Sequence, residues 1–297
     1  MPDPLGAAMV TVVIVNWNGG DEIVECVGSF HDAPPSVPWE IVVVDNASTD
    51  GSPALIRAAF PDVRIIANTT NRGLAAANNQ GMASSAAPFI LISNPDIIYK
   101  PGAVDALLDL MARRTRAAFA VARLMRPSGV LQTSAGDLPT LGEALLGRAW
   151  QRRRNTSRGF WWDDWAHDEE RVIGHGMEAC FLVRREAIRD IGMQDERFPL
   201  DWEGIDWSAS AAAAGWEVWF CPEGEVVHIG GVTLRQAQLR WVIRSHQGMY
   251  RYFAKRRPVL WRPLLALAVG TRGLVKAAAV ATGRWSYRQG EPSAGTG

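Results

Sequence analysis

The residues best suited to hold a ligand follow an apolar run near the start of the chain. Residues 41–44 (Ile-Val-Val-Val) end at Asp45, and the turn after it contains Asn46, Ser48, Thr49, Asp50 and Gly51. Such a run predicts a strand buried on both faces, as in a parallel sheet. Ligands of open α/β sheets bind beyond the carboxyl ends of the strands. An acidic, hydroxyl-rich turn suits a ribose or a base, whereas a bare phosphate favours Gly-rich backbone and Lys. The pattern therefore indicates a nucleotide held at its nucleoside end.

An alternation of apolar runs and helical patterns positions these groups. The predicted strands are 10–15, 41–44, 63–67, 89–93 and 117–122, and the predicted helices are 21–30, 53–60, 74–86 and 102–112. This order implies a mainly parallel α/β sheet with helices on both faces and right-handed crossovers. After a loop-rich stretch we expect two further strands and one Ala-rich helix, at 179–184, 216–220 and 201–215.

Length and cysteine content restrict the class of protein. The 297 residues are enough for one large α/β domain with an appendage. Three cysteines without metal-site spacing favour a reducing, cytoplasmic setting. No positively charged segment leads into the first predicted strand, so we expect no signal peptide.

Charge divides the chain into two unequal parts. Residues 1–234 hold 19 Lys and Arg against 30 Asp and Glu, whereas residues 235–297 hold 12 against one. We assign 9–232 to the α/β domain and 233–290 to a basic, amphipathic helical segment. Arg262, Arg272 and Lys276 make the apolar stretch of this segment a poor membrane-spanning helix. It suits peripheral contact with the inner face of the cell membrane, or a helical pair packed on the domain. We expect no nucleic-acid partner.

The ordered motifs resemble those of family 2 glycosyltransferases with the GT-A fold. The resemblance is carried by residues 12–18 (Val-Val-Ile-Val-Asn-Trp-Asn), 44–52 (Val-Asp-Asn-Ala-Ser-Thr-Asp-Gly-Ser), 71–78 (Asn-Arg-Gly-Leu-Ala-Ala-Ala-Asn) and 91–96 (Leu-Ile-Ser-Asn-Pro-Asp). It extends over residues 9–232 and points to the bacterial rhamnosyltransferase-like branch. It implies an inverting transfer of a sugar from a nucleotide diphosphate donor, with a divalent metal.

The resemblance places the nucleotide beside the first strands. Asp45 matches the family position that accepts hydrogen bonds from a base or a ribose, although an Asp there also caps turns. Asn16 and Asp50 are further candidates, with an Asx turn and a helix cap as the structural alternatives. The remaining candidates for contact with the donor are Asn46, Asn71, Gly73, Asn78 and Asn94.

Residues 94–96 (Asn-Pro-Asp) occupy the place of the family's Asp-x-Asp motif. Mg²⁺ or Mn²⁺ bridges one or two carboxylates to substrate phosphates, so Asp96 alone is a sufficient carboxylate ligand. Asn94 replaces the first Asp and still offers its amide to the sugar. His228 resembles the family's late metal-binding His, although a His between apolar residues is often structural.

The family resemblance continues around the strand predicted at 179–184. Glu178 and His175 precede it and could contact acceptor hydroxyls, with a role in the backbone turn as the alternative. Arg184 and Arg185 resemble the family's double Arg, where a positive charge can meet a diphosphate.

The catalytic base departs from the family pattern. Many relatives carry Glu-Asp-x-Asp here, and the second residue, the usual base, is Gly204 in this chain. We predict Glu203 as the base because its longer side chain can reach across the space at Gly204, with Asp206 and Asp201 as alternatives. Glu203 and Asp206 share one face of a helix start, where charge–dipole capping is the structural alternative.

Residues and resemblance together predict a cytoplasmic, membrane-associated glycosyltransferase of cell-envelope polysaccharide synthesis. By resemblance alone, the expected donor is dTDP-rhamnose, and the acceptor is a saccharide or a polyprenyl-diphosphate-linked saccharide. One alternative is a nucleotidyltransferase, which residues 16–20 (Asn-Trp-Asn-Gly-Gly) disfavour because they lack Lys and Arg. The other is a non-catalytic protein that binds nucleotide sugars, which the loss of the base at Gly204 keeps open.

Overall fold

The computed structural model describes residues 8–146, 159–199, 201–230 and 238–283. The first part alternates as predicted, apart from β5, a short strand that the sequence did not predict: β1 (Val10–Asn16), α1 (Gly20–Asp32), β2 (Trp39–Asp45), α2 (Ser52–Ala59), β3 (Arg64–Ala67), α3 (Leu74–Ala83), β4 (Phe89–Ser93), β5 (Ile97–Tyr99), α4 (Ala103–Arg113) and β6 (Ala117–Met125). The second part contains β7 (Leu131–Gln132), β8 (Ala135–Gly136), α5 (Leu141–Leu146), β9 (Arg171–Ile173), β10 (His175–Gly176), β11 (Cys180–Arg184), α6 (Arg185–Ile191), α7 (Glu203–Ala213), β12 (Glu217–His228), α8 (Gln238–Lys255) and α9 (Arg262–Ala281).

Ten of the strands in the described residues form one mixed, mainly parallel sheet, and β8 and β10 pair as a second, two-stranded sheet. The main path of the larger sheet runs β3-β2-β1-β4-β11-β6-β12-β5. Parallel pairing joins β1 to β2 and β4, β2 to β3, and β6 to β12. Between β4 and β6 lies β11, antiparallel to both.

Helices cover both faces of the sheet, as the sequence predicts. Side chains alternate along a strand, so Val12 and Ile14 of β1 pack with α1, α2 and α4, whereas Val13 and Val15 pack with α3, α6 and α7. Burial on both faces explains why the central strands are continuous apolar runs. The polar residues at their carboxyl ends are therefore held at a rigid edge.

The described part of the basic C-terminal segment packs on the domain at α7. Trp202 and Ile205 join Tyr252 and Phe253 of α8 and residues of α9 in a third apolar cluster. A Cβ on Gly248 of α8 would lie 2.6 Å from Trp202 Cδ1, so this close approach requires glycine. The segment is thus, over its described residues, a helical pair on the domain. Among these residues, 259–281 is also long and apolar enough to cross a membrane, by length and composition alone.

Candidate active site

A cleft of about 1630 Å³ opens at the carboxyl ends of the central strands. Its wall includes residues that follow β2 and β4 and residues that precede α3, namely Asn46, Asn94, Asp96, Asn71 and Gly73. His228, the last residue of β12, faces the same space. Six of the predicted donor and metal residues are therefore brought together.

The same cleft has an acidic wall and a basic wall. Glu178, Asp201 and Glu203 supply carboxylates, and Gly204 lies among them. Cationic side chains come from the C-terminal helices: Arg240, Arg244, Arg272 and Lys276. The cleft thus brings the predicted nucleotide residues and the acidic wall of the α/β domain together with the basic C-terminal helices.

Asp45 and Asn16 lie behind the cleft wall, and neither is among the residues that line it. Asn16 Nδ2 donates to Asp45 Oδ1 at 2.9 Å and to Ser52 Oγ at 2.8 Å. The Ser48 N–H donates to Asp45 Oδ2 at 3.2 Å. Both predicted residues are buried. In this arrangement they fix the loop after β2.

Asp50 caps two helices at once. Its Oδ2 accepts the N–H of Gly20 at 2.8 Å, and its Oδ1 accepts the N–H of Ser52 at 3.0 Å. These residues begin α1 and α2, whose first N–H groups lack partners within the helix. Slight burial raises the pKa of Asp50, but the hydrogen bonds from Ser52 and Gly20 outweigh it, and the pKa lies below its ordinary value.

Amide side chains organise the wall beside the predicted nucleoside. Asn46 Nδ2 donates to Asn71 Oδ1 at 3.1 Å and to the Gly73 carbonyl at 3.3 Å. Asn46 Oδ1 accepts the Arg72 N–H at 2.9 Å. The φ of Gly73 is 87°, a left-handed value that favours glycine. Three predicted donor residues thus form one hydrogen-bonded unit.

Asn78 is buried in α3 and reaches the site through another amide. Its Nδ2 donates to Gln194 Oε1 at 3.2 Å. Gln194 Nε2 in turn donates to Glu178 Oε1. Sequence reasoning missed Gln194, because no motif marks an isolated Gln. Its partner at position 78 is more than a hundred residues away in the chain.

Asp96 and His228 face each other as predicted metal ligands. His228 Nε2 lies 3.4 Å from Asp96 Oδ1. The opposite nitrogen, Nδ1, donates to Gln132 Oε1 at 3.0 Å, which leaves the Nε2 lone pair toward the carboxylate. The Gly230 N–H donates to Asp96 Oδ2 at 3.0 Å. Burial raises the pKa of Asp96, but a protonated His228 ring would donate to this carboxylate, and that hydrogen bond and charge, with the Gly230 N–H, outweigh burial, so the pKa lies below its ordinary value.

These residues fit a divalent metal that a substrate would help to hold. A carboxylate and an imidazole lone pair that face each other need a proton or a cation between them. The Gln132 contact fixes the ring in the manner typical of metal-binding His. Among the described residues no group of three or more His, Cys, Asp and Glu could hold a metal alone. Substrate oxygens would therefore complete the coordination, as Mg²⁺ sites commonly require.

Two predicted carboxylates at the start of α7 have raised pKa values. Burial and the charge of Asp201 raise the pKa of Glu203 to about 7, although backbone N–H groups oppose the rise. Glu203 Oε2 accepts the Trp202 N–H at 3.0 Å. Asp201 keeps contact with solvent, yet protein atoms crowd its carboxyl and raise its pKa to about 6. Both groups titrate close to neutral pH.

Asp206, the other candidate base, is held away from the cleft. Its carboxylate contacts Lys255 Nζ at 2.8 Å and Arg256 Nη1 at 2.6 Å. It is not among the residues that line the cleft. Asp206 thus joins α7 to α8.

The double Arg does not meet the cleft. Arg184 donates to the carbonyls of Ala117 and Met111, and Arg185 donates to the carbonyl of Ala87. Neither lines the cleft, so the expectation that they meet a diphosphate is wrong for this structure. Strand and helix ends leave carbonyls without partners, and these two guanidinium groups satisfy some of them.

His175 supports an aromatic part of the wall. Its Nε2 donates to the Phe160 carbonyl at 2.8 Å. The His175 ring lies 4.9 Å from the Phe160 ring and 4.8 Å from the Trp161 ring. Burial lowers the pKa of His175 to about 4, so the ring is neutral at physiological pH.

Residues 11–192 match the family model described as Glycosyl transferase family 2. The chain belongs to this family. This family 2 glycosyltransferase is 28% identical over 269 residues to the N-acetylglucosaminyl-diphospho-decaprenol L-rhamnosyltransferase of Mycobacterium tuberculosis. The matched region covers 86% of this chain and 87% of that protein. It is 36% identical over 102 residues to the succinoglycan biosynthesis protein ExoO of Rhizobium meliloti, over 34% of this chain and 29% of that protein. The predicted resemblance to the rhamnosyltransferase-like branch is confirmed.

Solved structures with a similar fold are glycosyltransferases as well. The mannosyltransferase PcManGT from Pyrobaculum calidifontis, in complex with GDP-Man and Mn²⁺, has a TM-score of 0.59 at 19% identity, over 97% of this chain and 79% of that one. GalNAc-T7 with UDP, GalNAc and Mn²⁺ has a TM-score of 0.57 at 15% identity, over 95% of this chain and 59% of that one. The predicted GT-A fold is confirmed.

Proposed function

We propose that this glycosyltransferase moves a sugar, with inversion at the anomeric carbon, from a nucleoside diphosphate sugar to a saccharide on a lipid diphosphate. L-Rhamnose from dTDP-rhamnose is the favoured donor, because the mycobacterial relative that matches most of both chains is named an L-rhamnosyltransferase. The observation that carries the proposal is the opposed pair of Asp96 and His228, in one cleft with amide groups and a carboxylate cluster.

In this proposal the nucleoside lies against the amide wall. Asn46, Asn71 and Gly73 offer hydrogen bonds there, and Asn94 offers its amide to the sugar. Asp45 and Asn16 act on the donor through the loop that they hold. Their hydrogen bonds hold this loop in one arrangement, which would lower the ordering cost of donor binding.

Asp96 and His228 would hold Mg²⁺ or Mn²⁺ together with the donor's diphosphate. When bound, such an ion neutralises the charge that develops on the leaving diphosphate. Gln132 keeps the His228 ring in one orientation, and the Gly230 N–H does the same for the Asp96 carboxylate. The similar structures that contain Mn²⁺ support a divalent metal in general.

A carboxylate of the acidic wall takes the proton of the acceptor hydroxyl. The sequence around Gly204 favours Glu203 as the base, with Asp201 beside it and Asp206 as a further alternative. Raised pKa values suit a general base that works near neutral pH. The ion pairs of Asp206 with Lys255 and Arg256 make it the weaker candidate.

The basic wall suits the diphosphate of a lipid-linked acceptor. Arg240, Arg244, Arg272 and Lys276 line the cleft beside α9. Burial lowers the pKa of Lys276 to about 8, and an anion beside it would favour the charged form. A bidentate guanidinium suits phosphate oxygens. The relative's name contains a decaprenol diphosphate, which is the same chemical class.

The exposed side of α9 is proposed to rest on an anionic membrane from the cytoplasmic side. On α9, Leu264, Leu267 and Leu274 are 60%, 69% and 74% exposed, and Leu260 in the turn before the helix is 90% exposed. Apolar side chains on a basic segment are typical of interfacial helices. Leu264→Asp with Leu267→Asp should abolish co-sedimentation with phosphatidylglycerol vesicles, whereas Leu55→Asp on α2 should not. Equal binding of both variants would contradict this contact.

Nucleotide binding and donor turnover test the transferase proposal. Isothermal titration with dTDP, UDP and GDP, with Mn²⁺ and with EDTA, should show tightest binding for dTDP and dependence on the metal. Donor hydrolysis should follow for dTDP-rhamnose in a panel of nucleotide sugars. Metal-dependent binding without hydrolysis or transfer would favour a non-catalytic binding protein. Release of pyrophosphate from a nucleoside triphosphate and a sugar phosphate would favour a nucleotidyltransferase.

A further inference from the structure

Gly204 stands where the family resemblance places the base, and the carboxylate of Glu178 fills the space that its missing side chain leaves. A Cβ on Gly204 would lie 2.6 Å from Glu178 Oε2 and 3.3 Å from both Cβ and Cδ of Glu178. A contact of 2.6 Å is too short for any carbon and oxygen that are not bonded. A side chain at position 204 would therefore require the Glu178 carboxylate to move from the position that it occupies beside Gly204.

The backbone around Glu178 is fixed on both sides. Glu178 lies between β10 and β11. The Met177 N–H donates to the Ser134 carbonyl at 2.7 Å, and the Ala179 carbonyl accepts the Asn94 N–H at 2.8 Å. The second contact joins Glu178 to the segment that carries Asp96. The carboxylate is therefore positioned by the same strand end as the predicted metal ligand.

Gln194 orients the Glu178 side chain. Its Nε2 donates to Glu178 Oε1, while its Oε1 accepts from Asn78 at 3.2 Å and its backbone N–H donates to Asn79 Oδ1 at 3.0 Å. Because Oε1 is occupied, Oε2 is the oxygen beside Gly204 in the cleft. A carboxylate held by one neutral donor keeps its second oxygen for another partner.

The charges around Glu178 increase its affinity for a proton. Burial and the charge of Glu203 raise the pKa of Glu178 well above its ordinary value, and the Gln194 hydrogen bond opposes this only in part. Behind Glu203 lie Asp201 and then Lys276, which interact with each other. Glu203 itself accepts a backbone N–H at the start of α7. Glu203 is thus engaged by its own helix, whereas Glu178 Oε2 is not.

We infer that Glu178 is a catalytic residue, the base whose Oε2 takes the place of the side chain absent at Gly204. The inference rests on the proposed transferase function and assigns the proton to Glu178 rather than to Glu203. The acceptor O–H bond breaks, and its proton passes to Glu178. The acceptor oxygen forms a bond to the anomeric carbon while the bond from that carbon to the diphosphate breaks. The nucleoside diphosphate leaves with the electron pair.

Matched variants of the full chain test this assignment with dTDP-rhamnose, Mn²⁺ and a lipid-diphosphate-linked N-acetylglucosamine acceptor. Glu178→Gln keeps an oxygen for Gln194 and should reduce kcat by about 10²–10⁴-fold, the usual contribution of a general base. Its Kd for dTDP should stay within twofold of wild type. Glu186→Gln, an exposed control on α6, should leave kcat unchanged. Glu178→Ala combined with Gly204→Asp should be at least tenfold faster than Glu178→Ala, because the new carboxylate occupies the vacated space.

The outcomes separate the inference from the function on which it rests. Loss of kcat in Glu178→Gln with intact dTDP binding, and recovery in the double variant, would support Glu178 as the base. Turnover of Glu178→Gln within a few-fold of wild type, or loss of kcat together with dTDP binding, would overturn it. If wild type itself neither binds dTDP with Mn²⁺ nor turns over any nucleotide sugar, the proposed function fails instead.

Discussion

The nucleotide side and the acceptor side of the cleft are built on opposite principles. Asp45 and Asp50, on the nucleotide side, accept hydrogen bonds from backbone and side-chain donors. On the acceptor side, Glu178, Asp201 and Glu203 crowd like charges into a partly buried wall. The first arrangement stabilises the fold, whereas the second costs stability and keeps groups ready to accept protons. Substitutions on the two sides should therefore have opposite effects on stability.

The largest expected effect is on turnover, at the point where the two sides meet. Asp96→Asn removes the charge that faces His228 and should lower transfer by about 10³-fold or more, which corresponds to about 4 kcal/mol in the barrier. Steady-state kinetics with Mn²⁺ measures the loss. Asp109→Asn, an exposed control on α4, should match wild type. Full activity in Asp96→Asn would show that the ligand set is wrong.

Asp206→Ala should give the largest loss of folding stability, because Asp206 lies outside the cleft and joins α7 to α8. Its side chain is 3% exposed and binds Lys255 and Arg256, which are themselves partly exposed. Breaking a buried pair costs about 3–5 kcal/mol, and the exposure of the partners reduces the expected loss to about 2–3 kcal/mol. Urea denaturation measures it. If stability were unchanged and turnover lost, Asp206 would act in the chemistry rather than in packing.

Asp45→Ala tests whether the nucleotide side is a scaffold. The change leaves donors of Asn16 and Ser48 with fewer acceptors in a buried setting, so unfolding free energy should fall by about 2 kcal/mol. Asp109→Ala is the matched control. A variant that lost dTDP binding with no loss of stability would instead make Asp45 a direct ligand of the nucleotide.

Glu203→Gln should raise the unfolding free energy, whereas Asp45→Ala should lower it. The folded pKa of about 7 exceeds the ordinary value of 4.5, so the folded protein binds this proton more tightly than the unfolded chain does. The favourable contribution of Glu203 to the wild-type unfolding free energy is fully present below pH 4.5 and is lost as the pH rises through the folded pKa of about 7. Glu203→Gln should therefore exceed wild type in stability at pH 8, by about 3 kcal/mol. Thermal denaturation at pH 5 and pH 8 measures this, with Glu186→Gln as the control. A gain that is larger at pH 5 would contradict the charge account.

Sequence patterns predict the elements and motifs that depend on local order. Apolar runs and turn residues located β1 to β4 and β6, and the polar loops at the strand ends, because strand burial and turn chemistry act over a few residues. The short strand β5 was not predicted. The antiparallel placement of β11 between β4 and β6 depends on pairing between distant segments. A single sequence carries no local signal for such a pairing.

The contacts that decide individual roles are equally distant in the chain. Asp206 meets Lys255 and Arg256 some fifty residues later. Gln132 reaches His228 across 96 positions. The motif showed that Gly204 lacks a base, but only the fold places Glu178 in the space beside it. Residue types therefore indicated the class of chemistry, and packing determined which member of each cluster is available.

The most direct test of the account is a transfer reaction followed by NMR of the product. Wild-type protein, dTDP-rhamnose, Mn²⁺ and the lipid-diphosphate-linked N-acetylglucosamine acceptor should give a rhamnosylated product whose anomeric configuration is opposite to that of the donor, and EDTA should stop the reaction. A product that retains the donor's configuration, or undiminished transfer in EDTA, would contradict the inverting, metal-dependent mechanism.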